Sequence, residues 1–316
     1  LYEQGKHHSD HMHKEDFFIH QNAFLGWIRI LVTCYALSIA LLWTNYAWIA
    51  IILTVVSILI LVLQFFLYMP VIDFLFPRKK ARNVYGIIKP LKEVKQRIIL
   101  SGHHDSARIF NFLYKQPNLY GIRVTGSIAM VLLLVVNATL IQIHLADWLS
   151  MVLKVISSLG LLIVLQMWFF AFKKGTPGAG DNLVASSMAF QIGKHFYEHR
   201  LNHTELIFMS FDAEEEGLRG ARAFVKKHEK MLKETPTYVL NADCIYDENE
   251  LFFLSSDLNN FVKLDINLAK ALHETAKALD ISTKIQPLAF LTGGTDAAEF
   301  GKKGISVTTL IGMPWS

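Results

Sequence analysis

Two cysteines in 316 residues, Cys34 and Cys244, are too few for a disulfide framework, and they leave the compartment open. No stretch reads as a nucleic-acid-binding motif. The formal net charge of +4 gathers beside long apolar runs, which suits anionic lipid headgroups better than a polynucleotide. The opening LYEQGKHHSDHMHKED lacks any apolar periodicity, so residues 1–23 read as a solvated, disordered polar tail; its histidines at 7, 8, 11 and 13 are the weaker candidate for trapping a metal. The chain opens on Leu1 rather than Met, which reads as a fragment.

What is abundant is apolar length. Hydrophobic residues make up 52% of the chain and the mean hydropathy is +0.32, high for a wholly soluble protein. The excess lies in LGWIRILVTCYALSIALLW (25–43), WIAIILTVVSILILVLQFFLYM (48–69), VTGSIAMVLLLVVNATLIQI (124–143) and VISSLGLLIVLQMWFFAF (155–172). Each approaches the roughly 20 residues that cross a bilayer. They form two hairpins, at 24–76 and 122–173. The first run is too long for a signal peptide and has no cleavage-like end. Buried core helices are the competing reading, but Trp and Tyr cluster at the run ends.

Basic residues fall on one side of both hairpins: Lys14, Arg29, Arg78, Lys79, Lys80, Arg82, Lys115, Arg123, Lys173 and Lys174. The opposite turns, TNY (44–46) and HLADW (144–148), hold none, and Lys154 beside that face has the length to snorkel. The positive-inside rule then makes everything outside the hairpins cytoplasmic. The charges in or beside the spans, Arg29, Arg123 and Lys154, lie near their ends, which argues against a transport path.

From residue 82 the text changes to short apolar runs, 83–88, 97–102, 205–211, 237–242, 251–255 and 305–311, which read as strands. Amphipathic helical patterns at 182–200, 217–227 and 267–280 alternate with them. The fold class is α/β, a mixed sheet flanked by helices, with four transmembrane helices added. One discontinuous domain, 82–121 and 174–316, is interrupted by the second hairpin, whose antiparallel helices return the chain to the face it left.

Polar residues collect after the apolar runs, where ligands of such sheets bind. SGHHDSA (101–107), PGAGDN (177–182), DAEEEG (212–217) and NADC (241–244) offer His103, Asp181, the glutamates 214–216 and Asp243. One residue separates His103 from Asp105, so in an extended segment both side chains point the same way and the acid can orient the imidazole. Each has an ordinary reading alone: a satisfied histidine, a helix N-cap at Asp181, a turn residue at Asp243, and acids favoured in the first turn of a helix at 217–227. Four coincidences at four run ends argue for one shared metal site.

The ordered set GHxDS, PGAxDN, AEExGLxG, an Asp closing the next strand and GGTDxxxF resembles the co-catalytic zinc aminopeptidases, metallopeptidase family twenty-eight, over 82–316 apart from the hairpin. That family also contains glutamate carboxypeptidase, glutaminyl cyclase and the catalytically dead transferrin receptor. The resemblance implies a zinc aminopeptidase acting on peptides. His103 and Asp243 would hold one zinc, Asp181 would bridge, Glu215 would hold the second, and Glu214 would be the general base. Two departures stand out: Asn182 is followed by LVAS where the family has SG, and Ala297 in GGTDAAEF (293–300) replaces a common His. The family's late histidine ligand is expected beyond IGMPWS; no His follows His273, so either the chain is truncated or the second zinc site is incomplete. The alternatives are a glutaminyl cyclase-like acyl transfer using one zinc and a non-catalytic membrane receptor or scaffold.

Overall fold

The computed structural model describes residues 1–143, 146–289 and 291–314. Residues 144 and 145 of the expected HLADW turn, the last two residues of IGMPWS, and the side chain of Lys173 lie outside the described residues. The chain divides into two compact units. The sheet unit is made of Leu1–Gln21, Pro77–Ala107 and Pro177–Ser316; the helical unit is made of Asn22–Phe76 and Arg108–Thr176.

Among the described residues, the strands are β1 (His11–His20), β2 (Arg78–Ile88), β3 (Gln96–His103), β4 (Arg108–Phe110), β5 (Ala171–Gly175), β6 (Thr204–Phe211), β7 (Thr237–Ile245), β8 (Leu251–Asp257), β9 (Val262–Lys263), β10 (Lys284–Pro287) and β11 (Ser306–Gly312). The α-helices are α1 (Tyr2–Lys6), α2 (Ala23–Trp43), α3 (Ala47–Leu61), α4 (Asn111–Lys115), α5 (Pro117–Gln142), α6 (Asp147–Leu165), α7 (Val184–Glu198), α8 (Arg219–Glu234), α9 (Ile266–Ala278) and α10 (Ala297–Gly301).

The large sheet runs β1-β2-β6-β3-β7-β11-β8-β10, with β9 paired to β8. β6, β3, β7 and β11 are parallel and form its centre. Their sequences are near-continuous apolar runs because helices cover both faces. On one face α7 lays Ala189 and Phe190 over Leu206 and Phe208, all buried. On the other, Phe224 of α8 and Phe300 of α10 meet Phe211, with ring centroids 6.0 and 6.1 Å from it.

The N-terminal stretch is not a disordered tail. Residues 11–20 are β1, antiparallel to β2 along its length, from His11 opposite Ile87 to His20 opposite Arg78. Lack of apolar periodicity misleads here because charge pairs fasten the strand. Asp10 accepts both guanidinium nitrogens of Arg200 at 2.7 Å and the Lys89 amide at 2.7 Å. Asp16 meets Lys80 and Arg82, and buried Glu15 meets Lys227 and His228. The metal-trap reading of the histidines finds no support either: His13 stacks on Tyr85, and the clusters with metal-ligand spacing among the described residues lie elsewhere.

In the helical unit, four helices are long and apolar enough to cross a membrane: Ala23–Trp43, Ala47–Phe66, Pro117–Gln142 and Asp147–Phe169. The last two start earlier than their apolar runs suggest, because Pro117 opens one and Asp147 the other, each favourable in a first turn. Their interior pairs neutral groups. The Tyr35 hydroxyl donates to Ser157 O at 2.9 Å, and Asn137 Nδ2 donates to Ser157 Oγ at 2.9 Å. Lys154 donates to Asn45 Oδ1 at 2.9 Å, which ties it to the TNY turn. The short β4–β5 pair also belongs here, so the sheet unit breaks off at Ala107 and resumes at Pro177, inside the expected limits of 121 and 174.

Candidate metal centre

The register of the central strands sets the frame. His103 pairs with Phe211 across β3 and β6, and Ser101 pairs with Asn241 across β3 and β7. Two residues further on, His103 ends β3 and Asp243 lies near the end of β7, and the glutamate turn follows the end of β6. Gly102 makes room underneath: a Cβ there would lie 2.7 Å from the Ser186 amide nitrogen, so glycine lets α7 press against β3. Ser186 Oγ donates to the His103 carbonyl at 2.8 Å.

His103 is 1% exposed. Its Nε2 faces Asp181 Oδ1 at 3.2 Å, Asp243 Oδ1 at 3.7 Å and Glu214 Oε2 at 3.9 Å, yet has no hydrogen-bond partner among the described residues. Its Nδ1 lies 3.3 Å from Asp105 Oδ1, the pairing that the one-residue spacing anticipates. Asp105 also does what spacing could not reveal: its two carboxylate oxygens accept the amides of Glu214 and Glu215, each at 3.1 Å. One side chain thus holds the imidazole and the glutamate turn together.

That turn is not the first turn of a helix. Ala213 and Leu218 both take φ of 60°, the Glu214 carbonyl accepts Gly217 N at 2.8 Å and Leu218 N at 2.7 Å, and α8 begins only at Arg219 with no acid in its first turn. The helix-dipole reading of Glu214–Glu216 therefore fails. Asp181 is no N-cap either: α7 starts at Val184, and the residue in the N-cap position is Leu183. Asn182 Nδ2 donates to the Ala242 carbonyl at 2.9 Å, tying this segment to β7.

Burial pushes the carboxyls of Glu214 and Glu215 well above the usual range, and neighbouring carboxylates push the same way. Burial opposes charge on His103, but Glu214, Asp105, Asp181 and Asp243 overcome it and hold the imidazole well above its ordinary value. Ligating atoms of His103, Asp181 and Glu215 lie within 4.8 Å of one another, as do those of His103, Glu214 and Asp243, and those of Asp181, Asp243 and Cys244. The buried, unpartnered imidazole nitrogen among carboxylates fits a divalent cation of the zinc type.

Asp296, which the sequence reading passes over inside GGTDAAEF, joins the same buried region. It is 1% exposed and neither carboxylate oxygen has a hydrogen-bond partner among the described residues. Burial drives its carboxyl well upward, with Asp243 and Asp105 adding and His103 opposing. Beneath it, Asp257 accepts Thr295 N at 3.1 Å and Thr295 Oγ1 at 2.7 Å; burial pushes the Asp257 carboxyl up to about 6. The signal in the sequence is an acid beside a rigid GGT turn, which carries no periodicity. His273 stays an ordinary helix residue, bonded to Thr283 Oγ1 at 2.7 Å.

A sequence model of Peptidase family M28 matches residues 166–315, a little under half of the chain. Among curated proteins, none matches. Among solved structures, the aminopeptidase from Aneurinibacillus sp. strain AM-1 aligns over 75% of this chain and 40% of its own at 16% identity and a TM-score of 0.45. A zinc aminopeptidase from Bacillus subtilis aligns over 74% and 42% at 18% identity and a TM-score of 0.43. Porphyromonas gingivalis glutaminyl cyclase aligns over 76% and 66% at 13% identity and a TM-score of 0.47. The chain thus spans about two fifths of the length of these aminopeptidases.

Proposed function

We propose that this protein is a membrane-anchored zinc aminopeptidase that removes residues from the amino end of peptides. The observation that carries the reading is the convergence of His103, Asp181, Glu215 and Asp243 around an unpartnered buried nitrogen, with Glu214 beside it. The M28 family match over 166–315 supports it. His103 and Asp243 would hold one zinc, Asp181 would bridge, and Glu215 would hold a second. Bound zinc would supply Lewis acidity to the peptide carbonyl and to water. The Glu214 carboxylate takes the proton of the attacking water and delivers it to the leaving amine nitrogen. Asp105 orients His103 through Nδ1 and fixes Glu214 and Glu215 through their amides.

The test combines metal analysis with hydrolysis of an aminoacyl chromogenic substrate. We expect Glu214→Gln to keep its zinc and lose about 10² to 10⁴ in rate. Glu215→Gln should lose metal, and Glu216→Gln should resemble the parent. Equal activity in Glu214→Gln and Glu216→Gln would refute the roles; cyclisation of amino-terminal glutamine without peptide hydrolysis would favour the glutaminyl cyclase-like reading.

We further assign the four apolar helices to a bilayer and the basic flanks to its cytoplasmic side. Exposed Leu37, Leu59, Leu132 and Leu162 on the helices, with Trp48 and Trp148 at their ends, support a lipid environment. Cysteines placed at 79 and 174 in a cysteine-free background should resist an impermeant thiol reagent in intact cells. Ready labelling at either position would reverse the orientation.

A further inference from the structure

The last residues of β7 break the strand's alternation. In a regular strand consecutive side chains point to opposite faces, so the residue after Asp243 should turn its side chain away from the metal centre. Cys244 instead has φ of 49°, a left-handed conformation that side chains other than glycine seldom take. The result is that its Sγ joins carboxylate oxygens of Asp181 and Asp243 in a cluster whose atoms all lie within 4.8 Å of one another. Those two carboxylates are the groups nearest the unpartnered His103 Nε2, at 3.2 and 3.7 Å. Sulfur and two carboxylates therefore face one small region, and the same two residues border the imidazole nitrogen.

We propose that Cys244 is a metal ligand, giving a thiolate to an ion held with Asp181 and Asp243. The inference rests on the metal-centre reading above and adds a donor that the resemblance does not supply. On binding, the metal–sulfur bond forms as the S–H bond breaks, and the proton leaves to solvent. A thiolate sits about 2.3 Å from zinc, against about 2.0–2.2 Å for nitrogen and oxygen donors. It also biases the site towards zinc and cobalt and away from magnesium and manganese. The left-handed turn at Cys244 thus has a chemical use: it brings sulfur round to the side that Asp243 occupies.

The test replaces the native ion with cobalt(II) in the full-length protein and reads the near-ultraviolet sulfur-to-cobalt charge-transfer band. The band should appear in the parent and in Cys34→Ser, and be absent from Cys244→Ser. A second readout on the parent removes any dependence on that variant folding: peptide mass mapping of Cys244 alkylation with and without cobalt. At tenfold excess over its Kd, cobalt should slow that alkylation by about tenfold. Cobalt bound with ligand-field bands but without the sulfur band or thiol protection would overturn the role of Cys244 and leave the metal centre intact. A band that vanishes in Cys34→Ser would also overturn it. Failure of the parent to bind cobalt or zinc at all would sink the metal-centre reading as well.

Discussion

In the helical unit the buried polar side chains among the described residues are Ser, Thr, Asn and Gln, apart from Asp73, and each has a partner: Ser38 with Thr54, Asn137 with Ser157, Gln64 with Asp73. In the sheet unit charges are buried, and several of them face an opposite charge. Arg97 meets Glu205 at 2.5 Å, Glu299 meets Arg222 at 3.1 Å and Glu15 meets Lys227 at 2.8 Å. At the ends of β3, β6 and β7 that balance stops, for one imidazole faces Asp105, Asp181, Glu214 and Asp243. A buried carboxylate without a counter-charge is costly, and several together are more so. The difference teaches where to look: one unit spends its polar groups on holding helices together, and the other keeps an excess of negative charge where only a cation would offset it.

The sharpest way to break this contrast is to remove metal and change pH. Burial raises the carboxyls of Glu214, Glu215 and Asp296, and that of Asp257 to about 6. Groups raised on folding stabilise below the ordinary carboxylate value and lose that contribution as pH climbs through the raised value. Chelator-treated protein in detergent should therefore unfold at progressively lower temperature from mildly acidic to mildly alkaline buffer. Zinc at a hundred times its Kd should restore about 2.7 kcal/mol. A metal-free protein equally stable at both pH values would contradict the excess-charge account.

Replacing Asn137 by Ala probes the other side of the comparison. It leaves Ser157 Oγ without its buried donor and should cost about 1–3 kcal/mol, by the same amount in both buffers and with zinc content unchanged. A pH-dependent loss would mean that the helical unit is not governed by neutral pairing. The smallest effect is local. Hydrogen bonds from Arg200 hold the Asp10 carboxyl below its ordinary 3.8, so the pair stabilises above that value and fails as pH falls through the lowered one. Being partly exposed, it is worth about 1 kcal/mol or less. Amide exchange at His11–Lys14 should accelerate in acid before β6 does; equal acceleration of both would mean that Asp10 does not fasten the edge.

The central strands are legible in the sequence because burial on both faces demands continuous apolar runs, and Ile98–Leu100 and Leu206–Phe208 supply them. The candidates His103, Glu214, Glu215 and Asp243 are legible because their motifs end such runs, and Asp181 because its motif precedes an amphipathic helical pattern. β1 is not, since backbone pairing and ion pairs to residues 80, 82, 200, 227 and 228 can hold a strand that has no apolar pattern. Asp296 and the turned-round Cys244 are illegible for another reason. Their relevance comes from burial by distant segments and from one backbone angle, and neither leaves a periodic trace.

The break between Ala107 and Pro177 also has a consequence for biogenesis. His103 is made before the second hairpin, and Asp181, Glu215 and Asp243 only after it. At about 5–20 residues per second, on the order of ten seconds separate the imidazole and its neighbour Asp105 from Asp181. During that interval the ribosome making the third and fourth apolar helices holds an unfinished sheet, whose β3 has neither β6 nor β7 to pair with. Closure of the centre is therefore a late event in synthesis, and the nascent chain has no complete set of donors until the hairpin has been made.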